Sequence, residues 1–184
     1  MHKITTVLLC FFIALAVPAV AQNHDMHSSS KGEKEGDGMH AMHHGSMDDQ
    51  AAARAVVDAL FDGMRAADSS AVASVFADNG RLVSTGNRNG APMMQETPIA
   101  AFAGAVGKAQ PNSWDERIWD VMIHVNGNLA TAWTPYAFYH DGNFSHCGVN
   151  AFHIVKLADG WKILQITDTR QREGCEVPDS VKNN

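Results

Sequence analysis

Apolar and polar residues alternate through four long stretches between residues 116 and 172, parted by Asn126-Gly127, Asp141-Gly142 and Asp159-Gly160. Alternation with a period of two marks a strand with one buried face. Asn-Gly and Asp-Gly supply the positive φ angles of tight hairpin turns. The pattern therefore predicts a four-stranded antiparallel meander. Upstream the period changes. Val56, Val57, Leu60, Phe61 and Met64 recur at helical spacing behind Asp48-Asp49, acidic residues that favour a helix N-terminus. A second short helix is expected over 69–77, with Val72, Val75 and Phe76 inward. A short strand over 81–85 and a loop over 86–92 follow. A third helix is expected from Thr97 or Pro98 to about residue 109, the proline suiting its first turn. The predicted class is α+β.

If every hairpin turn has two residues, Val125 faces Asn128, His140 faces Asn143 and Ala158 faces Trp161. One sheet face then carries Arg117, Trp119, Ala130, Ala132, Thr134, Tyr136, Phe138, Cys147, Val149, Ala151, His153, Val155, Ile166, Asp168 and Arg170. The other carries Met122, His124, Thr131, Trp133, His146, Asn150, Phe152, Gln165, Thr167 and Thr169. The first set is richer in small and β-branched apolar residues, so it is expected against the helices. A one-residue slip would exchange the faces, and Pro135 marks a place where a bulge could introduce one.

On this register Asp168 lies opposite Ala151, which lies opposite Ala132, leaving space beside a carboxylate. Burial raises such a group's pKa unless a cation pairs with it. Asp168 is thus either a candidate catalytic acid or base or one half of a structural ion pair with Arg170. Tyr136, beside Thr134, is either a hydrogen-bond donor to a ligand oxygen or a core tyrosine whose hydroxyl reaches the surface. Arg170 and Thr134 are the accompanying ligand-binding candidates, and His153 is expected as a satisfied core histidine. His146, Asn150 and Trp133 belong to the second face. They form the pocket if the register slips, with His146 as the acid or base. If it does not, Trp133, Phe152 and Met122 make an outward apolar patch suited to a homodimer.

The first 21 residues have the form of a secretory signal peptide: Lys3, an apolar run from Val7 to Val17, and Ala19-Val20-Ala21 at the cleavage site. A periplasmic or secreted protein is expected, with no stable membrane anchor after cleavage. Removing Lys3 leaves 13 basic against 20 acidic residues, a net charge of −7, and no Lys/Arg cluster. Nucleic acid is therefore not an expected partner. Residues 22–47 lack hydrophobic periodicity and read as a disordered tail. Within it, His24, Met26, His27, His40, Met42, His43 and His44 form a ligand set suited to copper, though without closed spacing; a solvated linker of biased composition reads the same way. No other cofactor is expected. Cys147 and Cys175 remain after cleavage, and Cys147 is expected opposite Arg172, close enough for a disulfide. The folded domain is expected over 48–175, and 176–184 as a C-terminal tail.

Ala66-Ala67-Asp68 with Phe76-Ala77-Asp78, and Asp159-Gly160-Trp161-Lys162-Ile163 near the end, resemble segments of the nuclear transport factor 2-like superfamily. The likeness is to its secreted SnoaL-like and ketosteroid-isomerase-like members and covers about 48–175. It implies three helices packed on a strongly curved, mainly antiparallel sheet, a cone whose wide end holds a small-molecule pocket. It also implies sheets that often pair back to back. The isomerase-like catalytic set carries over poorly. Phe61 and Met64 stand where a pocket tyrosine is wanted, and the 81–85 strand offers Ser84 and Thr85 but no carboxylate. Nucleophile-elbow, phosphate-loop and zinc-helix motifs are absent. The leading expectation is an exported small-molecule-binding domain without turnover. The alternatives are a proton-transfer or hydrolytic enzyme using Asp168 with Tyr136 and Arg170, and periplasmic copper handling by the tail.

Overall fold

The computed structural model describes residues 46–183; the signal-peptide segment and all seven copper-ligand candidates of the tail lie outside them. Helix α1 (Met47–Arg65) opens at Ser46, whose Oγ accepts from the Asp49 amide at 3.1 Å. Its expected stripe is buried, with Val57, Leu60, Phe61 and Met64 facing the core. The helix stops where Ala67 takes a φ of 55°. Asp68 then accepts from the Ser70 and Ala71 amides and starts α2 (Ser69–Ser74). Strand β1 (Phe76–Arg88) is longer than expected and turns at Asn89-Gly90 into β2 (Ala91–Thr97). The expected loop is therefore a hairpin. Asn89 and Gly90 both take positive φ, 54° and 79°, as its tight turn demands. Helix α3 (Ile99–Val106) follows Pro98.

The first strand of the expected meander is two strands. β3 (Trp114–Ile118) and β4 (Met122–Asn126) both pair with β5 (Leu129–His140), parted by a kink where Asp120 takes a φ of 44°. β6 (Asn143–Leu157) and β7 (Gly160–Thr169) complete a seven-stranded open sheet ordered β2-β1-β7-β6-β5-β3, with β4 also on β5. Only β1 against β7 is parallel. One core joins helices and sheet, including Val57, Leu60, Phe61, Val72, Phe152, Ile154, Ile163 and Ile166.

The expected register holds at His140–Asn143 and Tyr139–Phe144 and fails beyond them. In the flanking hairpins Val125 faces Ala130 rather than Asn128, and Trp161 faces Lys156 rather than Ala158. Each turn sits one residue away from the expected place, a two-residue shift of pairing that leaves the faces unchanged. Phe138 pairs with His146 and Tyr139 with Phe144, so Ser145 is an extra, unpaired residue. Such a bulge shifts the side-chain phase by one. It turns Asn150, Phe152 and Ile154 inward and leaves His153 exposed, which corrects the core-histidine reading. The bulge is at Ser145, whereas Pro135 pairs regularly with Val149. The energetic reason is plain: burying a Phe or Ile side chain is worth about 2 kcal/mol each, more than burying Ala151 and His153 instead. A second irregularity leaves Leu164 unpaired, because Ile154 faces Ile163 while His153 faces Gln165. Asp168 consequently lies opposite Asn150, not Ala151, and Asn150 lies opposite Thr134.

The expected disulfide is present: Cys147 and Cys175 are joined, with Cα atoms 6.0 Å apart. Cys147 faces Gln171 rather than Arg172. The last residues pack on the domain, Val177 being buried against Ala137 and Tyr139, and a short helix α4 (Asp179–Lys182) follows.

Candidate functional site

Two hollows share a wall formed by Phe61 and Glu116. The inner one, about 50 Å³, has Glu116, Tyr136, His146, Asn150, Asp168 and Arg170 as its polar lining, over Leu60, Phe61, Met64, Leu82, Phe102, Phe152 and Ile166. The outer one, a cleft of about 380 Å³, runs between α1 and β3 and is lined by Asp58, Phe61, Arg65, Asp115, Glu116, Arg117, Ile118 and Val181. Phe61 and Glu116 belong to both.

Parallel pairing of β1 with β7 sets Ser84 beside Asp168. Ser84 Oγ donates to Asp168 Oδ1 at 2.7 Å, and Arg170 Nε donates to Oδ2 at 2.6 Å. Asp168 is 3% exposed, and each of its carboxylate oxygens holds a partner. Burial works against the Arg170 charge, but the Asp168 hydrogen bond and charge outweigh it and raise the guanidinium pKa. This is the ion-pair arrangement, and it leaves Asp168 poorly placed to take a substrate proton.

Glu116 escapes the sequence reading. Counting through one unbroken first strand puts Arg117 inward; the kink at Asp120 reverses that, and Glu116 faces inward opposite Phe138. Asn150 Nδ2 donates to Glu116 Oε1 at 2.7 Å. Glu116 is half-buried as a residue, and its carboxyl is desolvated. Burial pushes that carboxyl up to about 7, the Asp168 charge adds to the rise, and the Asn150 bond opposes it. Near neutral pH, protonated and charged forms coexist.

His146 and Asn150, brought inward by the Ser145 bulge, join this group rather than replacing Asp168. The His146 ring packs against Tyr136 and Phe138, with centroids 5.7 and 5.1 Å away, and its Nδ1 lies 3.1 Å from Ser145 Oγ. Burial, and then the Arg170 charge, hold it down at about 4, so the ring is neutral at physiological pH. Tyr136 donates its hydroxyl to the Thr169 carbonyl at 2.8 Å, and burial raises its phenol well above the usual range. Thr134 is fully buried, does not line the cavity, and its hydroxyl has no partner. Trp133 lies on the opposite face, 49% exposed between Met122 and Ala151, away from the site. Among the described residues no group of three or more His, Cys, Asp or Glu is placed to hold a metal ion.

The family described as "Putative lumazine-binding" matches residues 48–167. The chain belongs to this family. No curated protein matches it. Solved structures show the same fold. An NTF2-like protein with a cystatin-like fold from Novosphingobium aromaticivorans is 14% identical, covers 74% of this chain and 88% of its own, and superposes with a TM-score of 0.53. A protein of unknown function with a cystatin-like fold from Nostoc punctiforme is 10% identical, with 70% and 95% covered and a TM-score of 0.55. An NTF2-like protein of unknown function from Shewanella baltica is 13% identical, with 70% and 98% covered and a TM-score of 0.52. At such identities the likeness establishes the NTF2-like fold alone.

Proposed function

We propose that the domain binds a small, flat, hydrogen-bonding heterocycle in the outer cleft, reads one edge of it with Glu116, and does not turn it over. The observation that carries this reading is that Glu116 lines both hollows while burial pushes its carboxyl up to about 7. A protonated carboxyl donates from one oxygen and accepts at the other. That complements a lactam edge, where an N–H stands beside a C=O, as in lumazine, which the family description names. The inner cavity of about 50 Å³ has room for a water molecule or two. The ligand body therefore belongs in the cleft of about 380 Å³, against the Phe61 ring. Thermal unfolding with lumazine and related lactam heterocycles tests the reading. Ligand at about 100 times its Kd stabilises by about 2.7 kcal/mol, a rise of several degrees. A panel in which no lactam raises the midpoint would overturn it.

One observation favours a second reading, proton transfer: a carboxyl with a pKa of about 7 suits a general base at neutral pH. Glu116, and not Asp168, then carries the chemistry. Turnover surviving in Glu116→Gln excludes it. Export is supported by the Cys147–Cys175 pairing together with the signal-peptide pattern. Homodimerisation is supported by the exposed outer-face side chains of Met122, Leu129 and Trp133, and sizing chromatography of Trp133→Glu checks it. Copper handling rests on the tail composition alone, and Cu(I) titration of full-length and tail-deleted protein separates it from the domain.

A further inference from the structure

The outer cleft has one wall that does not belong to the sheet or to α1. Val181 of α4 lines it. The segment that delivers Val181, residues 172–183, is thinly held. Arg172, Glu173, Gly174 and Glu176 are exposed, and α4 has no buried residue. Its non-covalent attachments are Val177 against Ala137 and Tyr139, with Cys175 and Val181 half-buried on the same cluster, and Arg117 Nη1 donating to the Val181 and Lys182 carbonyls at 2.9 Å each. Arg117 is itself fixed in place: Nε donates to Asp115 Oδ2 at 2.7 Å, and its guanidinium stacks 4.2 Å above the Tyr139 ring. The one covalent attachment is the disulfide from Cys175 to Cys147 on β6. Segments with few buried apolar contacts and exposed hydrogen bonds open locally long before the domain unfolds.

We propose that the Cys147–Cys175 disulfide latches residues 172–183 as a strap over the ligand cleft, and that a dithiol reductant opens it. Cys175 is half-buried and Cys147 only 5% exposed, so attack falls on the Cys175 sulfur. A reductant thiolate bonds to Cys175 Sγ while the S–S bond breaks, and Cys147 leaves as a thiolate that takes a proton from water. The second thiol of the reductant, deprotonating to solvent, attacks its own sulfur in the mixed disulfide and releases Cys175 as a thiolate, which is protonated in turn. The dithiol is oxidised by two electrons and the cystine reduced by two. The strap is then held without a covalent tie, by Val177 and Val181 on the Ala137–Tyr139 cluster and by the Arg117 hydrogen bonds, and the Val181 wall of the cleft opens by local unfolding. Only its consequence for ligand depends on the binding reading above.

Hydrogen exchange of the full chain, oxidised and after dithiothreitol, tests the latch, with intact mass confirming complete reduction. Amides in 172–183, including Val181 and Lys182, which donate to the Pro178 carbonyl, should exchange at least about tenfold faster on reduction, with α1 and β7 unchanged. The Cys147→Ser/Cys175→Ser double variant should match the reduced chain and ignore dithiothreitol. Unchanged protection of the strap in fully reduced protein overturns the proposal, as does equal acceleration throughout α1 and β7. In a second arm, lumazine should leave the reduced protein faster than the oxidised one. An unchanged dissociation rate with the strap open overturns its role as cleft wall. If lumazine binds neither form, the ligand reading falls while the exchange data still decide the latch.

Discussion

Glu116 and His146 line one cavity and respond to burial in opposite senses, the carboxyl rising to about 7 and the imidazole falling to about 4. Folded Glu116 keeps a proton that the unfolded chain releases above its ordinary value of 4.5. Its contribution to stability is whole below that value and is lost as pH rises through about 7. Folded His146 refuses a proton that the unfolded chain takes up below 6.5, so its contribution is whole above 6.5 and lost as pH falls through about 4. The two slopes oppose each other where they overlap. Glu116→Gln removes one of them. Relative to the parent, this variant should gain on the order of 3 kcal/mol between about pH 4.5 and 7.5, read from urea unfolding at several pH values. Parallel profiles would show that the carboxyl is not desolvated. Asp168→Asn tests the ion pair. The Arg170 side chain is 51% exposed and can hydrate when its partner goes, so the loss should be about 2 kcal/mol rather than the larger cost of a stranded buried charge. Lumazine affinity should change little in Asp168→Asn at acid pH, where Glu116 is protonated in both proteins, since Asp168 does not line the cleft. Near neutral pH it should fall, because the Asp168 charge helps to hold the Glu116 proton.

At the scale of strands, what decides the site is which residues go unpaired. The three downstream turns are legible, as are the inward faces of β5 and of the end of β7, because turn chemistry and alternation encode them locally. Asn89-Gly90 carries the same signal, and the hairpin it makes replaces the loop expected over 86–92. Ser145 and Leu164 carry no mark. Any residue can be the extra one in a bulge, and the choice is made by burying Phe152 and Ile154, a tertiary reward that no local pattern displays. Proline at 135 is a local bulge signal that the structure does not use, since Pro135 pairs regularly with Val149 and the packing that places the bulge at Ser145 is not written in the local sequence. The kink at Asp120 hid Glu116 in the same way. Gly148 shows how closely the bulged strand approaches β7: a Cβ there would lie 1.9 Å from the Thr169 carbonyl oxygen. Backbone cannot yield as a flexible side chain can. Gly148→Ala should therefore cost about 3 kcal/mol or more, measured as a lowered urea midpoint at unchanged slope. A neutral outcome would mean the strands can separate there.

For the whole molecule, family membership over 48–167 and the fold of distant structures agree with an α+β domain whose helices and sheet enclose a site. The site divides into a small polar hollow and a larger cleft, and the cleft is bounded by residues distant in sequence: α1, β3 and the C-terminal strap. That assembly explains why the fold is legible in the sequence while the place of Glu116 is not. Ligand binding and proton binding at Glu116 are then linked. Affinity for a lactam should fall above about pH 7, approaching about tenfold per pH unit once the carboxyl is charged, as calorimetric titration across pH would record. The most direct test follows the Glu116 carboxyl carbon by NMR across pH, without ligand and with saturating lumazine. The expected free value is about 7, moving higher when ligand is bound. A free value near the ordinary 4.5, unmoved by lumazine, would contradict the neutral-carboxyl site.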